Sequence, residues 1–115
     1  MTTPLTERRC EPCHRGTPRI RGAELHGYLD QLGPPWQARD EHHLEAAFSF
    51  PDFMTALRFT NRLGALAEAE GHHPEVTVTW GRATVRIWTH AIDGLSENDF
   101  VLAAKAGELS TGPGG

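Results

Sequence analysis

Hydrophobic residues repeat every three to four positions in three stretches of the chain, which is the spacing of an amphipathic helix. We predict helices at 23–32, 51–70 and 96–107. A Gly-Pro-Pro triplet follows the first helix and stops it. The last helix begins at a capping box formed by Ser96 and Asp99, and Gly107 can end it.

The second helix is the longest, and both of its ends carry recognisable signals. Pro51 suits the first helical turn, Ser49 or Asp52 can accept hydrogen bonds from the free N–H groups, and Gly71 can end the helix. Its hydrophobic residues fall within one half of the circumference, so this helix is expected to lie on a sheet. They are Phe53, Ala56, Leu57, Phe59, Leu63, Leu66 and Ala67.

Hydrophobic and polar residues alternate in four other stretches, which is the spacing of β-strands. The stretches are 36–40, 43–50, 76–80 and 83–90. We predict that the first two form a hairpin turning near Asp40-Glu41, and that the last two form a hairpin with Gly81-Arg82 as its turn.

The order of elements is therefore α-β-β-α-β-β-α, which predicts an α+β fold. We expect a two-layer sandwich in which a four-stranded antiparallel sheet carries three helices on one face. The other face of the sheet needs cover, and a second subunit is the natural candidate. We predict one domain at 22–108, a flexible N-terminal arm at 1–21 and a disordered tail at 109–115.

Charge and hydropathy exclude several classes of function. The 115 residues have a net charge of -4 and a pI near 5.9, so no basic surface is expected to bind nucleic acid directly. No apolar run approaches the roughly 20 residues that cross a membrane, and the first residues lack the apolar region of a secretory signal. We expect a cytoplasmic protein with reduced cysteines.

The N-terminal arm contains the motif Cys10-Glu-Pro-Cys13-His14. C-x-x-C-H is the pattern of c-type haem attachment, but that modification is expected outside the cytoplasm. A zinc knuckle would need a second pair of ligands at similar spacing, and none follows. A metal site or a disulfide at these cysteines stays open, and we assign the motif no role.

Adjacent histidines, His72 and His73, stand where the long helix should stop, and His90 ends the predicted fourth strand. In an antiparallel hairpin the start of the third strand neighbours the end of the fourth, so the three imidazoles should converge at one end of the sheet. By the period of two, Trp88 shares a face with His90.

Each of these residues also has a purely structural interpretation. His72 can complement the negative end of the helix dipole, and His90 can form a hydrogen bond in a loop. For Asp99, the capping box alone would explain an acidic residue at this position. Glu68 lies one turn before His72 and can pair with it at i, i+4 spacing.

Acid/base catalysis is the chemistry that three clustered imidazoles support best. Zinc is less favoured, because adjacent histidines tend to project in different directions and no H-E-x-x-H motif is present. Nucleophilic catalysis finds no serine or cysteine in a suitable motif near the histidines.

The spacing of these residues resembles the signature of the pterin-4a-carbinolamine dehydratases. That signature is an acidic residue, His-His-Pro, an aromatic residue, a histidine and an aspartate at fixed intervals. Here they are Glu68, His72, His73, Pro74, Trp80, His90 and Asp99. Two longer segments also resemble the family, FSFPDFMTALRFTNRLGALAEAEGHHP and WTHAIDGLSENDFVLAAKA. The resemblance covers about residues 23–107.

The resemblance implies the same α+β fold, assembly into dimers or tetramers, and neither a metal nor an organic cofactor. It implies removal of water from a 4a-hydroxytetrahydropterin, the product left by an aromatic amino acid hydroxylase. His72 and His90 would then act as acids on the leaving hydroxyl, and His73 would take the N5 proton or hold the ring.

The resemblance also implies binding roles for the remaining signature residues. Glu68 and Asp99 would orient imidazoles or bind the amide edge of the pterin, Pro74 belongs to the motif, and Trp80 or Trp88 would form a wall against the flat ring. Many members have an aromatic residue where this chain has Val76, which leaves the shape of that wall open.

Some relatives of this family act through protein partners instead. Certain members have become RuBisCO assembly factors, and the vertebrate form also assists a homeodomain transcription factor, so a non-catalytic binding protein is the alternative. Assembly factors of this family tend to lose the paired histidines. The presence of His72 and His73 in this chain therefore favours the enzyme.

Overall fold

The computed structural model describes residues 3–12 and 15–111. Three α-helices and four strands follow one another in the predicted order. They are α1 (Gly22–Leu32), β1 (Gln37–Arg39), β2 (His43–Ser49), α2 (Phe53–Glu70), β3 (Glu75–Thr79), β4 (Arg82–Ile87) and α3 (Glu97–Thr111). Two short 3-10 helices, Leu5–Glu7 and His90–Ile92, lie outside this series.

The strands form one antiparallel sheet in the order β1-β2-β4-β3. Alternate residues of the two central strands are buried: Leu44, Ala46, Phe48, Ala83, Val85 and Ile87. They pack against Phe59 and Leu63 of α2 and against Phe100 and Leu102 of α3. The predicted fold class, a four-stranded sheet with its helices on one face, is confirmed.

The opposite face of the sheet is polar. Thr77 and Thr84 pair across it, and Arg86 donates to Glu45 at 2.8 Å between Nε and Oε1. A second subunit against this face stays a prediction. None of the helices in the described residues is both long enough and apolar enough to span a bilayer.

Both ends of α2 are defined by single residues. Asp52 caps the start, because its Oδ1 accepts hydrogen bonds from the N–H of Thr55 at 2.7 Å and from the Thr55 hydroxyl at 2.8 Å. Pro51 therefore precedes the cap, and its predicted place in the first turn is wrong. Gly71 ends the helix in the left-handed conformation, φ 67° and ψ 28°, as the sequence predicts.

The two hairpin turns differ in how well the sequence predicts them. Asp40 and Glu41 form the first turn, as predicted, and both have positive φ. The second turn is Trp80-Gly81 and not Gly81-Arg82, because Thr79 pairs with Arg82 across the hairpin. Gly81 takes φ 73°, which favours glycine at the second turn position.

The last helix extends beyond its predicted end. Gly107 lies inside α3, which continues to Thr111, so the predicted stop at Gly107 is wrong. Helical residues therefore cover the start of the predicted tail at 109–115, and 112–115 lie outside the described residues.

The predicted N-terminal arm lies against the domain over its described residues. Leu5 and Ile20 are buried in the main hydrophobic core, and the N–H of Ile20 donates to the carbonyl of Leu95 at 2.8 Å. Flexibility of this segment stays a prediction, but its side chains contribute to the core. Cys13 and His14 lie outside the described residues.

Candidate active site

An open cavity of about 460 Å³ lies where α2 ends and β4 ends. His72 and His73 reach it from the segment after α2, and Trp88 and His90 reach it from the segment after β4. The pairing of Glu75 with Arg86 brings these two segments side by side. The three histidines that the sequence singles out therefore line one cavity.

His72 is held by a buried carboxylate. Its Nε2 lies 2.6 Å from Oδ1 of Asp99, which is fully buried. The other oxygen of Asp99 accepts hydrogen bonds from the backbone N–H of Ser96 at 2.8 Å and from the hydroxyl of Thr89 at 2.9 Å. Because Asp99 accepts at Nε2, a neutral His72 ring carries its lone pair on Nδ1.

Asp99 therefore combines the two interpretations that the sequence left open. It accepts the Ser96 N–H as a capping-box residue does, and it also fixes the orientation of an imidazole at the cavity. It does not line the cavity itself, but its partners His72 and Thr89 do.

His73 pairs with Glu68. Their Nε2 and Oε2 atoms are 2.5 Å apart, and both side chains are exposed. The predicted pairing of Glu68 with His72 is wrong, because the left-handed conformation of Gly71 ends the helix before His72. The i, i+4 rule applies only within a continuous helix.

Trp88 and His90 form a stack, with ring centroids 4.6 Å apart and an angle of 7° between their planes. His90 begins the short 3-10 helix, and β4 ends earlier than predicted, at Ile87. The stacked pair gives the cavity an aromatic wall, in which each ring covers one face of the other.

A second pair of adjacent histidines lies behind Trp88, and sequence reasoning missed it. The rings of His42 and His43 have centroids 5.3 Å and 5.9 Å from that of Trp88. Their Nδ1 atoms are 3.0 Å apart, and Nε2 of His42 lies 2.8 Å from Oδ1 of Asp93. Burial, followed by the charge of His42, lowers the pKa of His43.

The signal for this pair was present in the sequence as Glu41-His-His-Leu44. It was missed because His43 is only the first residue of the predicted strand 43–50 and His42 precedes it, and neither position by itself indicates a site. Only the pairing of β2 with β4 brings them to Trp88, since Leu44 lies opposite Ile87.

Four predicted site residues do not line this cavity: Asp99, which holds His72 from below the surface, and Trp80, Pro74 and Glu68. Trp80 is 74% exposed in the β3–β4 turn, at the opposite end of the hairpin from His73. Pro74 leads into β3 and, like Glu68, is not among the described residues that line the cavity. Within one chain, Trp88 is therefore the tryptophan that meets the three histidines.

The N-terminal arm supplies a wall that the sequence did not predict, formed by Cys10, Glu11 and Pro12. Burial, with a contribution from Glu70, raises the pKa of the Cys10 thiol to about 12, so this thiol is neutral near pH 7. The composition of the arm, rich in Pro, Thr and Arg, had indicated a mobile segment and concealed this contact.

The described residues offer no group of three or more histidine, cysteine or acidic side chains placed to hold a metal ion. Asp99 and Glu68 each hold one imidazole, so the carboxylates act as partners of histidines. This arrangement can move protons at the cavity.

Comparison with known proteins adds a family match. The family model described as "Pterin 4 alpha carbinolamine dehydratase" matches residues 18–109. A putative pterin-4-alpha-carbinolamine dehydratase of Rubrobacter xylanophilus is 50% identical over 91% of this chain and 97% of its own length. The protein of the same description from Alkaliphilus metalliredigens is 48% identical over 88% and 91%.

Two solved structures share the fold. A transcriptional coactivator/pterin dehydratase from Brucella melitensis superposes with a TM-score of 0.76 and 31% identity, over 81% of this chain and 99% of that one. A pterin dehydratase-like RuBisCO assembly factor of the alpha-carboxysome gives a TM-score of 0.58 and 22% identity, over 66% and 89%. The second likeness concerns the fold alone.

Proposed function

Because this chain belongs to the pterin 4 alpha carbinolamine dehydratase family, we propose that it removes water from a 4a-hydroxytetrahydropterin. The product is a quinonoid dihydropterin, which can then be reduced and reused. The observation that carries the proposal is that His72, His73 and His90 line one cavity beside an aromatic wall.

The reaction requires two proton movements and no change of oxidation state. The bond from C4a to the hydroxyl oxygen breaks as that oxygen takes a proton, and N5 loses its proton as the double bond between C4a and N5 forms. Water is the only other product. Imidazoles can give and take protons near pH 7, so this chemistry asks for no metal or organic cofactor.

The histidines divide these tasks in our proposal. His72 and His90 protonate the leaving hydroxyl, and His73 accepts the N5 proton or holds the ring. Asp99 is a positioning residue that orients His72, and Glu68 can do the same for His73. Trp88 stacks against His90 and supports that imidazole at the cavity.

The test is the decay of chemically generated 4a-hydroxytetrahydropterin, followed by absorbance with and without the protein. Wild type should accelerate the decay, and His73→Ala and His90→Ala should each slow the catalysed reaction by about 10²-fold or more. His26→Ala is the matched control, because His26 is exposed on α1 away from the cavity. Wild type that performs no better than buffer would remove the proposal.

The alternative is a non-catalytic protein that assists an assembly, a transcription factor or a hydroxylase. The coactivator and assembly factor names of the two structural relatives motivate it, together with the polar open face of the sheet. A pull-down from the native cell extract tests it. Recovery of no stoichiometric partner, combined with dehydratase activity, would exclude this alternative.

A further inference from the structure

The N-terminal arm is attached to the cavity through its backbone. The N–H of Glu11 donates to Oδ1 of Asn98 at 2.8 Å, and the side-chain amide of Asn98 donates back to the carbonyl of Glu11. The N–H of Cys10 donates to Oε1 of Glu70 at 2.9 Å. Two consecutive residues are thus fixed by side chains from α2 and α3.

The groups that hold the arm are themselves held firmly. The second oxygen of Glu70 accepts from Nζ of Lys105 at 2.6 Å, and both side chains are largely buried. This ion pair joins the end of α2 to α3. The arm backbone therefore rests on a rigid support, which is what a binding surface needs if it is to hold a ligand in one position.

Two acidic residues line the cavity among the described residues, Glu11 and Glu70. Both oxygens of Glu70 are engaged, one with Cys10 and one with Lys105. Glu11 is fixed through its backbone instead, and the residue is exposed. Glu11 is therefore an acidic residue at the cavity whose carboxylate is not what holds the arm in these contacts.

A pterin has hydrogen-bond donors that a carboxylate at the cavity could bind. Its pyrimidine ring carries two adjacent donors, the N3–H and the 2-amino group, which match the two oxygens of one carboxylate. The two acids that the sequence had suggested for this edge are engaged elsewhere. Asp99 is fully buried with three donors, and Glu68 pairs with His73.

We propose that the arm segment Cys10–Pro12 is part of the substrate site and that the Glu11 carboxylate binds the aminopyrimidine edge of the pterin. The proposal rests on the proposed function for the identity of the ligand. It assigns Glu11 to substrate binding and not to proton transfer, and it makes Asn98 the residue that positions Glu11.

The test measures binding without turnover. The dissociation constants of 7,8-dihydropterin and of the corresponding dihydrolumazine, which has an oxygen in place of the 2-amino group, are determined by calorimetry. Wild type should prefer the pterin. Glu11→Gln should weaken pterin binding at least about tenfold and lose most of the preference. Glu7→Gln, an exposed change on the same arm outside the cavity, is the control.

Hydrogen exchange gives a second readout that does not depend on any ligand. The amides of Cys10 and Glu11 should exchange slowly in wild type, and Asn98→Ala should speed their exchange while also weakening pterin binding. Fast exchange at both amides in wild type would overturn the docked arm.

The outcomes separate this proposal from the function on which it rests. If the protein catalyses dehydration, and wild type, Glu11→Gln and Glu7→Gln bind the pterin equally well, then Glu11 has no role in binding. The proposed enzyme activity is then unaffected. If pterin binding requires Glu11 but the protein catalyses no dehydration, the proposed enzyme activity is wrong and the proposed binding site is supported. Absence of pterin binding in wild type overturns both.

Discussion

Asp99 is a fully buried carboxylate that accepts hydrogen bonds from His72, Thr89 and Ser96. A buried charge is costly unless its oxygens are satisfied, and here each oxygen has a partner. The same three contacts fix the start of α3 and one imidazole at the cavity. The fold and the proposed catalysis therefore both depend on this one side chain.

Asp99→Asn should affect both properties. We expect dehydration to slow by about 10²-fold or more, because an amide replaces the acceptor that holds the His72 tautomer. The free energy of unfolding should fall by about 1–3 kcal/mol. Absorbance kinetics and urea denaturation measure the two effects. Asp93→Asn is the control, since Asp93 holds His42 outside the cavity, and equal losses in both variants would contradict the role of Asp99.

The Cys10 thiol should be nearly inert in the folded protein. Burial raises its pKa to about 12, so thiolate is scarce at pH 8 and iodoacetamide should react at least about a hundredfold more slowly than with an exposed thiol. Peptide mapping by mass spectrometry follows Cys10 separately from Cys13. Urea-unfolded protein is the fast reference, and an equal rate in folded protein would show that the arm is detached.

At the scale of elements, the end of α2 at Glu70 determines where His72 and His73 lie. Gly71 takes φ 67°, whereas Gly64 lies exposed inside the helix, with open space where a Cβ would be added. Gly71→Ala should destabilise the fold by about 1–2 kcal/mol, because alanine resists the left-handed conformation. Gly64→Ala should stabilise it by roughly 0.5–1 kcal/mol.

Urea denaturation of the two glycine variants tests this contrast with the same chemical change in one helix. Gly71→Ala should also slow dehydration, since it alters the exit of the chain toward His72. Similar stabilities for the two variants would mean that another contact, and not the glycine, ends α2.

The elements that the sequence predicted well are those with strong local signals. Helical spacing located α2, and Gly71 gave its end, because both signals are local to the sequence. Boundaries that depend on partners were less accurate. Strand register shifted the second turn to Trp80-Gly81, and α3 passes through Gly107 because Leu109 continues to pack against the core.

For the whole molecule, the shifted pKa values predict a stability maximum between about pH 7 and pH 9. His43 has a lowered pKa, so below its ordinary value of 6.5 the unfolded chain binds more protons and stability falls. Asp93 and Glu70 also have lowered pKa values and add a further loss at lower pH. Cys10 has a raised pKa, so above pH 9.0 the unfolded chain loses its proton first and stability falls again.

Urea midpoints across this pH range measure the profile. His43→Gln should flatten the decline between about pH 6.5 and pH 5, and Cys10→Ala should flatten the decline above pH 9. A wild-type profile that rises toward either extreme would contradict the assignment of these groups.

Contacts between residues far apart in the chain could be predicted from the sequence only where the pairing of strands could be deduced. The meeting of His72, His73 and His90 follows from one hairpin, so local reasoning reached it. The arrival of Glu11 at the same cavity depends on an amide of α3 nearly ninety positions away. No local pattern encodes that contact, and the Leu5 and Ile20 anchors are too few to form a periodic signal.

The three tryptophans occupy three different surroundings, and this gives the protein a built-in optical reporter. Trp36 is buried at 6% exposure, Trp80 is 74% exposed, and Trp88 lies face to face with His90. Since the emission of an indole depends on the groups in contact with it, fluorescence from Trp88 should report on its three histidine neighbours, His42, His43 and His90. With Trp36→Phe and Trp80→Phe in place, the light emitted by one ring would report on this group of rings beside the cavity without any added dye.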